Sequence, residues 1–143
     1  MTAEHVNYQD NPAVTDEALN TLFAAAWPEH SARNFRSVLA QSSGYVCAYA
    51  GDTLVGFVNV AWDGGIHAFL LDTTVHPTMQ RQGVGHQLVR RACDLARKRG
   101  CKWLHVDYAP EHRGFYLSCG FRETQAALID LQKQQNQRTS GSS

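Results

Sequence analysis

Residues 45–75 hold three apolar runs joined by two short glycine turns, and this pattern limits the fold more than any other feature of the chain. Tyr45 to Ala50 alternates as a strand, Gly51-Asp52 turns it, and Leu54 to Trp62 returns as the second arm of a hairpin. Asp63-Gly64-Gly65 turns the chain again into a strand from His67 to Val75. Its run Ala68-Phe69-Leu70-Leu71 is nearly continuous, as in a strand buried on both faces. Connections this short exclude crossovers, so the three strands are antiparallel neighbours. A long helix follows, Gly83 to Arg99. Val84, Leu88, Val89, Ala92, Leu95 and Ala96 form one apolar face to lay on that sheet. Arg97, Lys98 and Arg99 crowd its C-terminal end, where cations oppose the helix dipole.

The rest of the chain completes an α/β domain with a mixed sheet. His5 to Tyr8 reads as a short first strand. Thr15 caps a helix to Ala26 that carries Leu19, Leu22 and Phe23 on one stripe, and Pro28 breaks it. Ser31 is expected to cap a second helix with Phe35, Val38 and Leu39 inward and Gly44 at its end. After Gly100 come a strand from Cys101 to Asp107, a short helix from Glu111 to Cys119, and a last strand or hairpin over Phe121 to Leu131. One domain is expected over 1–131. The polar stretch 132–143 reads as a disordered tail.

Composition excludes several function classes. Lys plus Arg number 13 and Asp plus Glu number 13, whereas a nucleic-acid binder shows a basic excess. The 4 cysteines (47, 93, 101 and 119) form no CxxC pair and no zinc-ligand spacing, so no metal is expected and the thiols read as reduced and mostly buried. Met1 to Asp10 is polar and no segment approaches the ~20 apolar residues of a membrane span, which points to a cytoplasmic protein.

The chemistry concentrates at Gln80-Arg81-Gln82-Gly83-Val84-Gly85, between a strand end and the long helix. Free N–H groups at a helix start, with the positive end of the dipole, receive anions. Gly83 and Gly85 let a pyrophosphate approach the backbone, and Arg81 adds charge. Two glycines alone are as well explained by a softened helix start. A Rossmann turn needs a third spaced glycine, and a Walker A loop needs Gly-Lys-Ser/Thr.

In this context the chain resembles the GNAT superfamily of N-acetyltransferases. Val75, Pro77, Gln80, Gly83 and Gly85 match the family's Val-x-Pro-x-x-[Gln/Arg]-x-x-Gly-x-[Gly/Ala] pattern. Phe115-Tyr116-Leu117-Ser118-Cys119-Gly120-Phe121 matches its later Phe-Tyr-x-x-x-Gly-Phe segment. The chain departs at Ala109 and His112, where the family often has Asn and Ala. The resemblance implies a mixed, mostly antiparallel sheet flanked by helices, with splayed central strands forming an acetyl-CoA cleft. It implies acetyl-CoA as cosubstrate, with Thr74 and Val75 beside the pantetheine arm and Gln80, Arg81, Gln82, Gly83, Val84, Gly85 and His86 around the pyrophosphate. Tyr116 is then the general acid facing the CoA sulfur. It also implies a homodimer as an option, since such domains often pair through sheet edges or C-terminal strands.

The base stays open among Asp72, Asp107, His76, His112 and a water chain. Asp63, Asp72, Asp107 and Glu111, with Trp27, Trp62, Tyr108 and His112, are the candidate acceptor walls. Carboxylates with aromatics suit a hydrophilic cationic amine. An aminocyclitol or aminoglycoside antibiotic is the first candidate acceptor. Polyamines, amino acids and protein amines are alternatives, as is a CoA-binding module without catalysis.

Overall fold

The structure is a computed structural model and describes residues 5–133. Strand β1 (Val6–Asp10) precedes helices α1 (Asp16–Ala26) and α2 (Arg36–Gln41). Strands β2 (Gly44–Ala50), β3 (Thr53–Trp62) and β4 (His67–Val75) follow, then α3 (Val84–Lys98), β5 (Trp103–Val106) and α4 (Arg113–Ser118). The sheet order is β1-β2-β3-β4-β5. The first three pairings are antiparallel, and β4–β5 is parallel because α3 carries the chain across the sheet. This is the mixed, mostly antiparallel α/β architecture expected.

Alternation along the strands divides the core between two faces. Val46, Ala48, Val58, Val60, Ala68 and Leu70 pack under Leu88, Val89, Ala92 and Leu95 of α3. Cys47, Leu54 and Phe57 pack on the other face against Leu19, Leu22, Phe23 and Phe35. Gly56 sets the height of α3. A Cβ there would stand 2.9 Å from Leu88 Cδ1 and 3.2 Å from the Ala48 Cβ.

Thr15 caps α1 as expected, its hydroxyl accepting from the Ala18 N–H at 3.1 Å. Three other expectations are corrected. Ser31 caps no helix, because α2 starts at Arg36 and residues before it are tied to α1 instead: Asn20 Nδ2 donates to the Arg33 carbonyl. Gly44 opens β2 rather than closing α2, and a side chain there would crowd Leu95 at 3.1 Å. The last strand expected over Phe121 to Leu131 does not form. Polar residues 122–125 have no apolar face to bury, and Leu128, Ile129 and Leu131 stand exposed. Strand β4 is also not buried on both faces. Ala68 and Leu70 point into the core, but α1 stops short of Phe69 and Leu71, which are about two-fifths exposed. All 4 cysteines are free, though only Cys47 is fully buried. No helix among the described residues is long and apolar enough to cross a membrane. The tail expected at 132–143 lies, from residue 134 on, outside the described residues.

Candidate active site

The site begins with a defect in β4. Between Phe57↔Thr74 and Asn59↔Leu71 the ladder slips, so Asp72 and Thr73 together face Val58 alone. Asp72 takes a left-handed backbone (φ 58°), which Asp tolerates better than most residues. The parallel pairing of β4 with β5 ends at Leu70↔Val106, just before this bulge. Beyond it the two strands fork, and the β4 edge over Thr73–Val75 is left unpaired on the β5 side. This is the splay that the resemblance implied.

The bulge shifts the alternation of β4: Ala68 and Leu70 face α3 before it and Val75 after it, while Asp72 and Thr74 turn to the α1 side. Thr73 turns toward α4, where its side chain lies close enough to the Tyr116 phenol to lower its pKa. Burial pushes the Tyr116 pKa above its ordinary value, with the Thr73 contact opposing the rise. The phenol therefore holds its proton throughout the neutral range. The Tyr116 ring is fixed by Phe115 at 4.9 Å, Phe121 at 5.7 Å and a stacked Tyr108 at 5.5 Å. Asp107 follows β5 at the fork, and Glu111 and His112 lie on the turn that leads into α4. All three are exposed, and among the described residues none has an ion-pair partner.

Asp72 and Thr74 turn the other way, toward α1. Thr74 is buried, accepts from Trp27 Nε1 at 3.1 Å and donates to the Asp72 carbonyl at 3.0 Å. Trp27, Phe23, Pro28, Glu29, His30, Arg33 and Asp72 line an open groove of about 490 Å³. Arg33 stands 3.5 Å from the Asp72 carboxylate. Trp27 and Asp72 thus lie where the sequence expected acceptor contacts. Arg33, His30, Glu29 and Thr73 carry no motif and were not anticipated.

Of the eight expected acceptor residues only Trp27 and Asp72 line this groove; Asp107, Tyr108, Glu111 and His112 lie between β5 and α4, and Asp63 and Trp62 lie elsewhere again. Asp63 closes the β3–β4 turn, accepting from the Gly65 N–H at 2.7 Å and the His67 N–H at 3.3 Å. These contacts hold its carboxyl below the usual range. Trp62 ends β3 beneath the Arg99 guanidinium, 5.5 Å from its ring. Neither lines the groove, so the four carboxylates do not converge on one wall.

The turn before α3 leaves the first backbone N–H groups of the helix open. His76 Nδ1 accepts from the Thr78 N–H at 3.2 Å and holds a 3-10 turn at Pro77–Met79. His76 is thereby occupied as a cap. Gln80 Nε2 donates to the Val75 carbonyl at 3.2 Å, and Gln82 Nε2 to the Thr78 carbonyl at 3.1 Å. Arg81 (φ 63°) and Gly83 (φ 87°) are both left-handed. Gly83 caps α3, and a Cβ there meets nothing within 4 Å, so the space above the first helical turn is open. The first-turn N–H groups of Val84, Gly85 and His86 have no carbonyl to receive them within the helix. Val84 itself is buried and offers only its backbone. Gly85 has a second role, because its Cα faces the Phe115 ring, 3.1 Å from where a Cβ would stand. The His86 side chain meets Ser118 Oγ at 2.8 Å and the Phe115 ring edge-on, so it ties α3 to α4. The open helix start, the left-handed turn and the unpaired β4 edge together fit a long ligand with a pyrophosphate at one end and amide groups along its arm.

Comparison with known proteins agrees. The chain matches the Acetyltransferase (GNAT) family over residues 13–121. Glucosamine 6-phosphate N-acetyltransferase 1 of Oryza sativa subsp. japonica is 40% identical over 52 residues, which is 36% of this chain and 32% of that protein. The matched stretch thus spans about a third of that relative. Among solved structures, a GNAT family protein of Streptococcus pneumoniae superposes with a TM-score of 0.73 at 24% identity, covering 87% of this chain and 98% of that one. The aminoglycoside N-acetyltransferase AAC(6')-Iy in complex with CoA superposes with a TM-score of 0.72 at 20% identity, over 87% of this chain and 93% of that one. At such identities the superpositions speak for the fold. The family match covers most of the chain and includes both the phosphate turn and the Tyr116 segment. The chain belongs to the GNAT family of acetyltransferases.

Proposed function

We propose that this acetyltransferase moves an acetyl group from acetyl-CoA directly to the amine of a small hydrophilic molecule lying in the Trp27–Asp72 groove. The observation that carries this reading is the Asp72–Thr73 bulge beside the end of the β4–β5 pairing at Leu70↔Val106, which sets Asp72 on the groove and Thr73 beside Tyr116. Acetyl-CoA supplies an activated acyl thioester. The chain's own residues do the rest. The first turn of α3 and Arg81 hold the pyrophosphate, and the unpaired β4 edge at Thr74 and Val75 orients the arm. Tyr116 hands its proton to the departing thiolate. Asp72 faces the groove and accepts the proton of the attacking amine, directly or through water, while Asp107 at the fork is the second candidate for that role. Positioning two reactants this way accounts for much of the rate gain in such transfers.

Aminocyclitol or aminoglycoside antibiotics are the first acceptor class to try, which would make the protein a resistance enzyme. Phosphorylated amino sugars are the second, since the rice relatives are glucosamine 6-phosphate N-acetyltransferases. Both substrates are water-soluble, which suits a cytoplasmic enzyme. The open edge of β5 and the exposed Leu128, Ile129 and Leu131 support pairing with a second copy.

The test is release of free CoA thiol with acetyl-CoA against aminoglycosides, amino-sugar phosphates, polyamines, amino acids and a short peptide. A response to one class establishes both reaction and acceptor. Silence across the panel, with acetyl-CoA still raising the melting temperature, would leave a CoA-binding module and refute the transfer reading.

A further inference from the structure

Arg33 stands in the acceptor groove with more donors than its one carboxylate partner can use. It lies in the loop between α1 and α2, yet its backbone is fixed at both ends. Its N–H donates to Asn20 Oδ1 at 2.9 Å, and its carbonyl accepts from Asn20 Nδ2 at 2.9 Å. The guanidinium carbon sits 4.6 Å from the centre of the buried Phe35 ring and 5.7 Å from that of Phe23. His30 Nε2 meets the same Asn20 Oδ1 at 2.8 Å. The two rings hold the guanidinium in place beside the groove. Of five N–H donors, a single one reaches Asp72, at 3.5 Å. Charge-assisted pairs close to about 2.7–2.9 Å when the pair is the purpose of the contact. The Arg33 side chain keeps 37% of its surface open and faces the 490 Å³ groove. A pre-ordered, under-used guanidinium fork beside a carboxylate matches a ligand that bears both charges. An acceptor bearing positive charge alone would set an ammonium against Arg33.

We propose that Arg33 recognises an oxyanion, a carboxylate or a phosphate, carried by the same acceptor whose amine lies beside Asp72. This rests on the acetyl-transfer reading above, sets aside its aminoglycoside candidate and favours amines that carry an acid group. The 3.5 Å between the two side chains calls for amine and oxyanion on neighbouring parts of one small molecule.

The experiment compares matched acceptors in the thiol-release assay. One pair is an α-amino acid and its methyl ester. The other is an amino-sugar phosphate and the unphosphorylated sugar. The expected result is that the oxyanion member of at least one pair is preferred by about 10- to 100-fold in kcat/KM, the range of charged hydrogen bonds, and mostly through KM. The pair that responds tells carboxylate from phosphate. In Arg33→Gln that preference falls to about 1- to 3-fold, and Arg33→Lys restores part of it. The melting shift produced by acetyl-CoA reports in parallel that the cosubstrate site is intact. A merely structural role for Arg33 would lower both members of a pair together and leave their ratio alone. The wild-type ratio needs no variant, so poor folding of Arg33→Gln does not remove the test. Transfer to both members of both pairs without preference overturns this inference and leaves acetyl transfer standing. No thiol release with any amine overturns both.

Discussion

Replacing Tyr116 with Phe removes one oxygen and nothing else, which makes it the most direct probe of the transfer step. The ring keeps its neighbours, because Phe115, Phe121 and Tyr108 contact it through the aromatic face and edge at 4.9–5.7 Å. What is lost is a polar contact with Thr73, worth about 1 kcal/mol or less at a half-buried site where water can take its place. The fold should therefore survive with a small drop in melting temperature. The kinetic loss should be larger. General-acid catalysis contributes about 10²–10⁴-fold. The group leaving here is a thiolate whose conjugate acid has a pKa of about 8.5 by analogy with cysteine, so it departs in part unassisted. That places the expected fall in kcat at about 10- to 1000-fold, with the KM for acetyl-CoA within about 3-fold of wild type. The pH profile adds a second check. Burial raises the Tyr116 pKa above its ordinary value of 10.0, so the proton needed by the leaving group is present at every pH below that. The wild-type rate should not fall between pH 7 and 9.5 through loss of this proton. Thiol release under saturating substrates, from pH 6 to 9.5, measures both quantities. A Tyr116→Phe enzyme within 2-fold of wild type would refute the acid role.

The other expectations concern the turn, the bulge and the core. Gly83→Val forces a branched side chain into φ 87° at the cap of α3, at a cost of about 1–3 kcal/mol; thermal melts should show a folded protein whose stabilisation by acetyl-CoA is gone, and a normal shift would mean the turn is not the pyrophosphate site. Asp72→Asn keeps a residue that tolerates the left-handed bulge but removes the charge, so kcat/KM for the amine should fall at least about 10-fold with acetyl-CoA binding intact; Asp72→Val should also lose about 1–2 kcal/mol in urea unfolding from backbone strain. Burial pushes Cys47 from 9.0 up to about 12, so between those values the native state holds a proton that the unfolded chain has released. The stability contributed by this neutral thiol is complete below pH 9, declines by about 1.4 kcal/mol per pH unit above it, and is lost as pH passes through about 12. Urea midpoints from pH 8 to 10.5 should fall, and fall less steeply in Cys47→Ala; equal slopes would mean Cys47 does not carry the effect.

What was legible in the sequence follows from the range of the forces involved. The β2–β4 meander and α3 were readable because periods of 2 and 3.6 are written within a few residues, as in Val46-Cys47-Ala48 and Val84…Leu88…Ala92. The phosphate turn was readable because glycine at Gly83 marks a backbone shape directly. Segments fixed by distant partners were not. Residues 31–35 looked like a helix start at Ser31, but Asn20 and the Phe23 and Phe35 rings hold them as a loop. Phe69 and Leu71 looked buried because the run is apolar, yet cover depends on how far α1 reaches. Phe121 to Leu131 had apolar residues enough for a strand but no pattern that commits them to a face. Arg33 and His30 belong to no motif, so only their convergence on Asn20 reveals them. Asp72 left one faint signal, a carboxylate placed in the middle of an apolar strand where Asp is disfavoured.

That misplaced carboxylate links fold and function. A regular β4 would continue its ladder with β5 past Leu70↔Val106, and a closed sheet has no opening between its faces. The extra residue at Asp72–Thr73 rotates β4 out of register with β3 and coincides with the end of the β4–β5 pairing. It also sorts the side chains, sending Thr73 to the proton donor and Asp72 and Thr74 to the groove. The strain of one left-handed Asp, about 1–3 kcal/mol, is carried by the rest of the sheet, in which β1–β2 and β4–β5 pair without a register shift. A flat β4 would be the more stable strand, but it would close the fork and separate Tyr116 from the acceptor groove. On the transfer reading proposed above, the bulge is therefore the feature that links the two sides of the site, and the residue that forms it is also the one set to face the amine.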